Sequence, residues 1–196
     1  MPRVVTAFLL VVALVLGGVL AFRAFAKPLG GTTVDARPLV PVEQLVADDG
    51  KPARLSDSNG QTRLVFFGFT RCPDVCPTTM GVLARAYEAL NEQQRQQLKV
   101  VLITVDPQFD TPPQLRSYLD KFDKDFVGLT GAPSALEATR KGFYIYSVPS
   151  GPGAFTHGDA VAVLDRTGRM RRVYSQDEVS GGVLTADLPR LASGRY

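Results

Sequence analysis

The residues with the most distinctive chemistry are two cysteines and one histidine, the only members of either type in the 196-residue chain. Cys72 and Cys76 sit in Thr70-Arg71-Cys72-Pro73-Asp74-Val75-Cys76-Pro77. At i and i+4 on a helix two side chains share a face, and in a loop the same spacing lets both sulfurs converge. Pro73 and Pro77 each follow a cysteine and confine the backbone there. A bridge across so small a loop would remove little entropy from the unfolded chain, so the pair reads better as chemistry than as a staple. An unreactive buried pair or a plain structural disulfide is the bland alternative. His157, in Phe155-Thr156-His157-Gly158-Asp159, taken alone reads as a surface or satisfied histidine.

These residues need elements to position them. A strand over 63–69 runs into the cysteine loop, and a helical pattern over about 78–94 leaves it. The pair therefore stands before a helix N-terminus, whose dipole favours thiolate and with it metal binding or nucleophilic attack. A nearly all-apolar strand over 98–105 follows, as expected of a strand buried on both faces. Thr111 and Gln114 have capping-box spacing and Pro112 suits the first helical position, which predicts a helix to about residue 122. A strand over 126–130, a helix over 133–141 and a strand-like stretch over 142–148 come next. Residues 147–155, rich in Pro and Gly, predict a loop. Strands over 160–164 and 170–174 read as a hairpin around 165–169, and a helix over about 184–191 closes the chain. A small hairpin over 39–55 turns at Asp48-Asp49-Gly50. Alternating strands and helices imply an α/β domain, a thioredoxin-like fold with a central mixed sheet flanked by helices.

Residues 4–22 carry no charge, and at about 1.5 Å per residue such a helix is roughly long enough to cross a bilayer core. The expected organisation is a transmembrane anchor over 4–22, a linker over 23–38 and the thioredoxin-like domain over 39–196. A cleaved signal peptide ending at Ala24-Phe25-Ala26 is the competing reading. All nineteen acidic residues and all but three of the basic ones lie beyond residue 27. The domain is thus formally neutral, and the excess of +3 belongs to the apolar segment and its flanks. With no basic run longer than Arg171-Arg172, nucleic-acid binding is not supported.

In a thioredoxin-like topology the loop before the final hairpin faces the active-site loop, which moves His157 toward the cysteines. Two thiolates and one imidazole suit one copper ion, as Cu(I) or Cu(II), whereas structural zinc wants a fourth Cys or His that the chain lacks. Asp74, Asp106, Asp110 and Asp159 are further oxygen donors, each with an ordinary reading as a strand end, a cap neighbour or a solvated side chain.

Gly68-Phe69-Thr70-Arg71-Cys72-Pro73-Asp74-Val75-Cys76-Pro77, then Asp106-Pro107-x-x-Asp110-Thr111-Pro112, Gly128-Leu129-Thr130-Gly131 and a late His157 resemble the Sco/SenC family of copper chaperones. The resemblance covers about residues 38–192 and the N-terminal apolar segment. It implies a thioredoxin-like protein that carries copper to the dinuclear CuA centre of cytochrome c oxidase, with copper held by Cys72, Cys76 and His157. Asp106 and Asp110 would shape the loop near the site. Gly158 departs from the small hydroxyl residue common after the histidine. The implied partners are the copper-receiving oxidase subunit, a periplasmic thiol reductant or another copper chaperone, and the membrane. The implied location is the bacterial inner membrane, single-pass, with the domain in the periplasm or on the outer face. Oxidation to a Cys72–Cys76 disulfide would remove two of three ligands and gate loading. A thiol–disulfide oxidoreductase and a copper or redox sensor are competing readings on the same residues.

Overall fold

The computed structural model describes the backbone of residues 2–25, 28–145, 147–151 and 154–196. Helix α1 (Pro2–Phe25) is followed by strands β1 (Thr32–Thr33), β2 (Gln44–Ala47), β3 (Pro52–Arg54) and β4 (Thr62–Gly68). Next come α2 (Val75–Glu88), α3 (Glu92–Gln96), β5 (Leu98–Thr104), α4 (Pro112–Leu119), β6 (Val127–Thr130) and α5 (Pro133–Gly142). Strands β7 (Ser147–Gly151), β8 (Ala154–His157), β9 (Val161–Leu164) and β10 (Met170–Tyr174) precede α6 (Gln176–Ser180) and α7 (Val183–Ala192).

One mixed sheet carries the domain, in the order β1-β10-β9-β4-β5-β6-β2-β3. Strands β4, β5 and β6 are parallel neighbours, while β9 closes antiparallel on β4. Every residue of β4 is buried, which is why Leu64-Val65-Phe66-Phe67 can be apolar without alternation. Parallel neighbours force their crossovers through helices, and α2 and α4 supply them. The β2–β3 hairpin turns at Gly50, whose φ of 83° suits a residue without a Cβ.

Five local expectations change. The stretch expected as strand-like over 142–148 becomes strand, among the described residues, only from Ser147, because α5 runs to Gly142 with Phe143 as its C-cap. Helix α2 starts at Val75, three residues ahead of 78, because Pro77 falls in its first turn, where a missing N–H breaks no intrahelical bond. The helical run to 94 is two helices, since Asn91 caps α3 in a capping box with Gln94. The Pro/Gly-rich stretch expected as loop is a two-stranded ribbon, β7–β8, pairing Ser147 with His157 and Val148 with Thr156. Proline is tolerated in such a ribbon because each strand is an edge. A short helix, α6, also appears where only a link was expected; Ser175 and Glu178 form its capping box.

Residues 29–34 fall in the segment expected as linker, yet they are bonded to the domain. Thr32 and Thr33 pair with Val173 and Arg172, and the Val34 N–H donates to the Arg171 carbonyl. Helix α1 covers the apolar N-terminal run, with Phe8, Leu9, Leu10 and Leu14 exposed. Over the described residues, which leave out the side chains of 2–4, 7 and 20–25, no helix is long and apolar enough to cross a membrane.

Candidate metal centre

Strand β4 ends at Gly68, and its apolar register delivers Phe69-Thr70-Arg71-Cys72 to the end of the sheet where β5 also stops. The Cys72 N–H donates to the Phe69 carbonyl at 3.2 Å, which turns the chain back toward α2. Cys72 is half-buried and Cys76 is fully buried within the first turn of α2, and both are free thiols. The Cys76 N–H, one of the first-turn donors that a helix leaves without an intrahelical acceptor, donates to Cys72 Sγ at 3.4 Å. The two cysteines therefore meet at one point, one sulfur above the helix end and the other inside it.

Burial pushes the Cys76 thiol well up; the Phe69 backbone hydrogen bond opposes this, and Cys72 and Asp110 add to it. The space around that sulfur is tight. A Cβ on Gly68 would stand 3.0 Å from Cys76 Sγ and 3.0 Å from the Phe66 side chain. Glycine at 68 is thus what lets the strand pass beside the sulfur.

The second motif supports the first. Asp110 is fully buried, and its carboxylate accepts from Thr70 N–H at 3.1 Å, Thr70 Oγ1 at 2.5 Å and Thr104 Oγ1 at 2.6 Å. Burial raises the Asp110 carboxyl, and the Thr104 and Thr70 bonds oppose it. Asp106 is also buried and accepts from Arg71 at 2.5 Å, while Arg71 lies over the Phe109 ring at 4.1 Å. Within the 106–110 turn the N–H groups of Phe109 and Asp110 both donate to the Asp106 carbonyl. Two consecutive residues ahead of Cys72 are thereby bonded to two aspartates of one turn.

Cys72, Cys76, Asp106 and Asp110 are therefore gathered at one end of the sheet. Asp74 is exposed at the N-cap position of α2 without a side-chain capping bond, and Asp159 is half-buried before β9. His157 closes β8, and its side chain lies outside the described residues. Among the described residues no group of three His, Cys, Asp or Glu side chains is placed to hold a metal ion.

Thr70, Arg71, Thr104 and Phe109 had no assigned role in the sequence. Thr104 carried a signal: a hydroxyl ending a nearly all-apolar strand needs a partner, and Asp110 is that partner. Tyr118 is another residue the sequence did not single out. Its hydroxyl is buried with no hydrogen-bond partner among the described residues. Burial raises the phenol, and the Cys76, Cys72 and Asp110 charges raise it further.

A family model described as SCO1/SenC matches residues 36–193. A Stutzerimonas stutzeri protein named as copper-binding is 36% identical over 136 residues, which is 67% of each chain. In four such relatives the match spans 67%, 30%, 63% and 66% of their own length. Among solved structures, apo Sco1 of Thermus thermophilus superposes with a TM-score of 0.73 at 34% identity, covering 85% of this chain and 99% of that one. Bradyrhizobium japonicum ScoI with copper bound superposes with a TM-score of 0.67 at 29% identity, covering 79% and 99%.

Proposed function

The chain belongs to the SCO1/SenC family, and from that premise we propose that it is a membrane-anchored copper chaperone for cytochrome c oxidase. In this reading α1 anchors it in a bacterial inner membrane and the domain works in the periplasm. One copper ion is held by Cys72, Cys76 and His157 and passed to the CuA-bearing subunit. The observation that carries the reading is the convergence of two free thiols at the N-terminus of α2, on a loop fastened by Asp106 and Asp110. Copper in the B. japonicum relative and the name of the S. stutzeri relative support the choice of metal.

The chain's own residues suit loading and release. Cys76, whose thiol is pushed up by burial, gives up a proton as it becomes a ligand, so loading strengthens with rising pH. A ligand set of three leaves copper open to an incoming ligand from the acceptor, which makes exchange feasible. The Tyr118 hydroxyl, buried with no hydrogen-bond partner among the described residues, offers a donor within electrostatic reach of the pair. Oxidation joining Cys72 to Cys76 would empty the site, so a periplasmic thiol reductant or a second copper chaperone is a fitting partner.

The test is anaerobic Cu(I) competition on the reduced protein. Cys72→Ser, Cys76→Ser and His157→Ala should each weaken binding by orders of magnitude; unchanged affinity in any one removes that residue from the site. The asymmetry of a half-buried Cys72 over a buried Cys76 also fits an attacking and a resolving thiol. Insulin reduction at thioredoxin-like rates would favour that oxidoreductase reading over the chaperone.

A further inference from the structure

We infer that the cysteine end of the domain faces the bilayer, and that the acceptor it serves therefore presents its metal-receiving ligands close to the membrane surface. The inference rests on the reading of α1 as an anchor.

Strand registers carry the argument. Thr32 pairs with Val173, Val173 with Ala162, Ala162 with Val65 and Val65 with Val101. Along this row β4 and β5 run toward the cysteine loop and the 106–110 turn. Strand β9 is antiparallel to β4, β10 to β9 and β1 to β10, so β1 enters the sheet from that same end. Leu29-Gly30-Gly31 thus arrives beside the start of α6, whose Gln176 accepts from Thr79 one turn into the cysteine helix. Sideways from β1 to β4 is three strand spacings, about 14 Å.

The arriving segment is fastened by a dedicated set of groups. Arg172 donates to the carbonyls of Leu29, Gly30 and Gly31, the closest at 2.6 Å. Asp187 accepts from Gly30 N–H at 2.7 Å and from the Tyr174 hydroxyl at 2.8 Å, and Glu178 accepts from Gly31 N–H at 2.8 Å. Both glycines are needed for this approach. A Cβ on Gly30 would stand 2.2 Å from the Val183 side chain, and Gly31 has φ of 72°.

Helix α1 ends at Phe25, so four peptide steps separate it from Leu29. Even fully extended they span only about 14 Å. A free linker over 23–38 would let the domain tumble above the membrane, with an r.m.s. reach of roughly 20 Å. A docked one holds the cysteine end near the surface, while the start of β5 stands about 20 Å further along the strands.

The full chain in nanodiscs containing a headgroup-dansylated lipid provides the test. The sequence contains no tryptophan, so one introduced indole is an unambiguous energy donor. Phe109→Trp reports the cysteine end and Gln96→Trp, just before β5, the opposite end; Thr78→Trp, exposed near the start of α2 and away from the docked segment, serves as a second cysteine-end donor should the 109 variant fail to fold. Transfer from the cysteine-end donor should exceed that from position 96 several-fold. A flexible insertion of about ten residues between Pro28 and Leu29 should bring the two toward equality. Equal transfer without the insertion, or stronger transfer from position 96, overturns the orientation. Release of the chain by alkaline wash overturns the anchor reading, and this inference with it, and is scored separately from the transfer ratio.

Discussion

Replacing Asp110 isolates what the second motif does for the cysteine loop. Its carboxylate is fully buried and receives Thr70 N–H, the Thr70 hydroxyl and the Thr104 hydroxyl. Asp110→Ala deletes the shared acceptor and leaves three donors unmatched, two on half-buried Thr70 and one on buried Thr104. At about 1 kcal/mol net per bond, and more for a charged acceptor, the loss is about 3 kcal/mol. The cost of burying the carboxylate offsets part of this, and that cost is what raises its pKa from 3.8. Asp110→Asn keeps one carbonyl oxygen, and a threonine hydroxyl can turn to accept from the amide; its loss should be about 1 kcal/mol. The sign with pH follows from the same contacts. A carboxyl raised in the folded state contributes stability in full below its unfolded value of 3.8, and this is lost as pH rises through the higher native value. The Asn variant should therefore close part of its deficit across that window. Because Thr70 precedes Cys72 by two residues, the Ala variant should also bind Cu(I) about tenfold more weakly, equivalent to about 1.4 kcal/mol. Urea denaturation and Cu(I) competition on the three proteins read both quantities. Equal stability of the Ala and Asn variants, or unchanged copper affinity in Asp110→Ala, would refute the account of Asp110 as the anchor of the loop.

Arg71→Ala should cost roughly 1 kcal/mol, since Asp106 is buried but the arginine is 40% exposed to water; Arg71→Lys should restore the charge but not the stacking on Phe109, and copper off-rates for the pair measure the difference. Gly68→Ala drives a methyl group against Cys76 Sγ and should weaken Cu(I) binding more than it lowers Tm, whereas an effect on Tm alone would count against the close approach. For Asp165, burial by itself would raise the carboxyl, but bonds from Thr167, the Arg169 N–H and Arg171 outweigh it and hold it below 3.8. The stability it contributes is present above 3.8 and lost as pH falls through its lower native value. The advantage of wild type over Asp165→Asn should shrink over that acid range in urea titrations, and a flat difference would argue that Asp165 acts through shape alone.

The arrangement explains how a motif of two aspartates can matter for a site they need not touch. Asp106 and Asp110 are brought to the cysteine loop by one turn whose carbonyl at 106 receives both the 109 and 110 amides. The turn bonds to the residues just before Cys72, while Cys76 is held by the helix itself. One cysteine is thus positioned by tertiary contacts and the other by local structure, and perturbing the turn acts on Cys72 first.

Much of this was legible in order and composition. Leu64 to Phe69 read as the strand that leads into the cysteine loop, with the cysteine pair where it meets a helix; periodicity and proline placement suffice for that, because they act over a few neighbouring residues. The same local rules found α4 from Thr111-Pro112 and the β9–β10 turn from Asp165 to Arg169. They failed at two places, one where composition masks a local pairing and one where the partners come from far away in the chain. Pro149 and Gly151 read as loop because nothing in 147–155 announces that Ala154–His157 will pair back on it. Residues 29–34 read as tether because small, weakly patterned residues carry no strand signal; they are held by pairing with β10 and by Arg172, Glu178 and Asp187, nearly the whole domain away in sequence. The sequence by itself singled out Cys72, Cys76 and His157 as candidate ligands and placed the cysteines between a strand and a helix. Only the tertiary structure decided that Asp110 and Asp106 fasten the loop, and that the chain enters the sheet at the same end as Cys72. Register and long-range hydrogen bonding settle such matters, and neither leaves a periodic mark on the sequence.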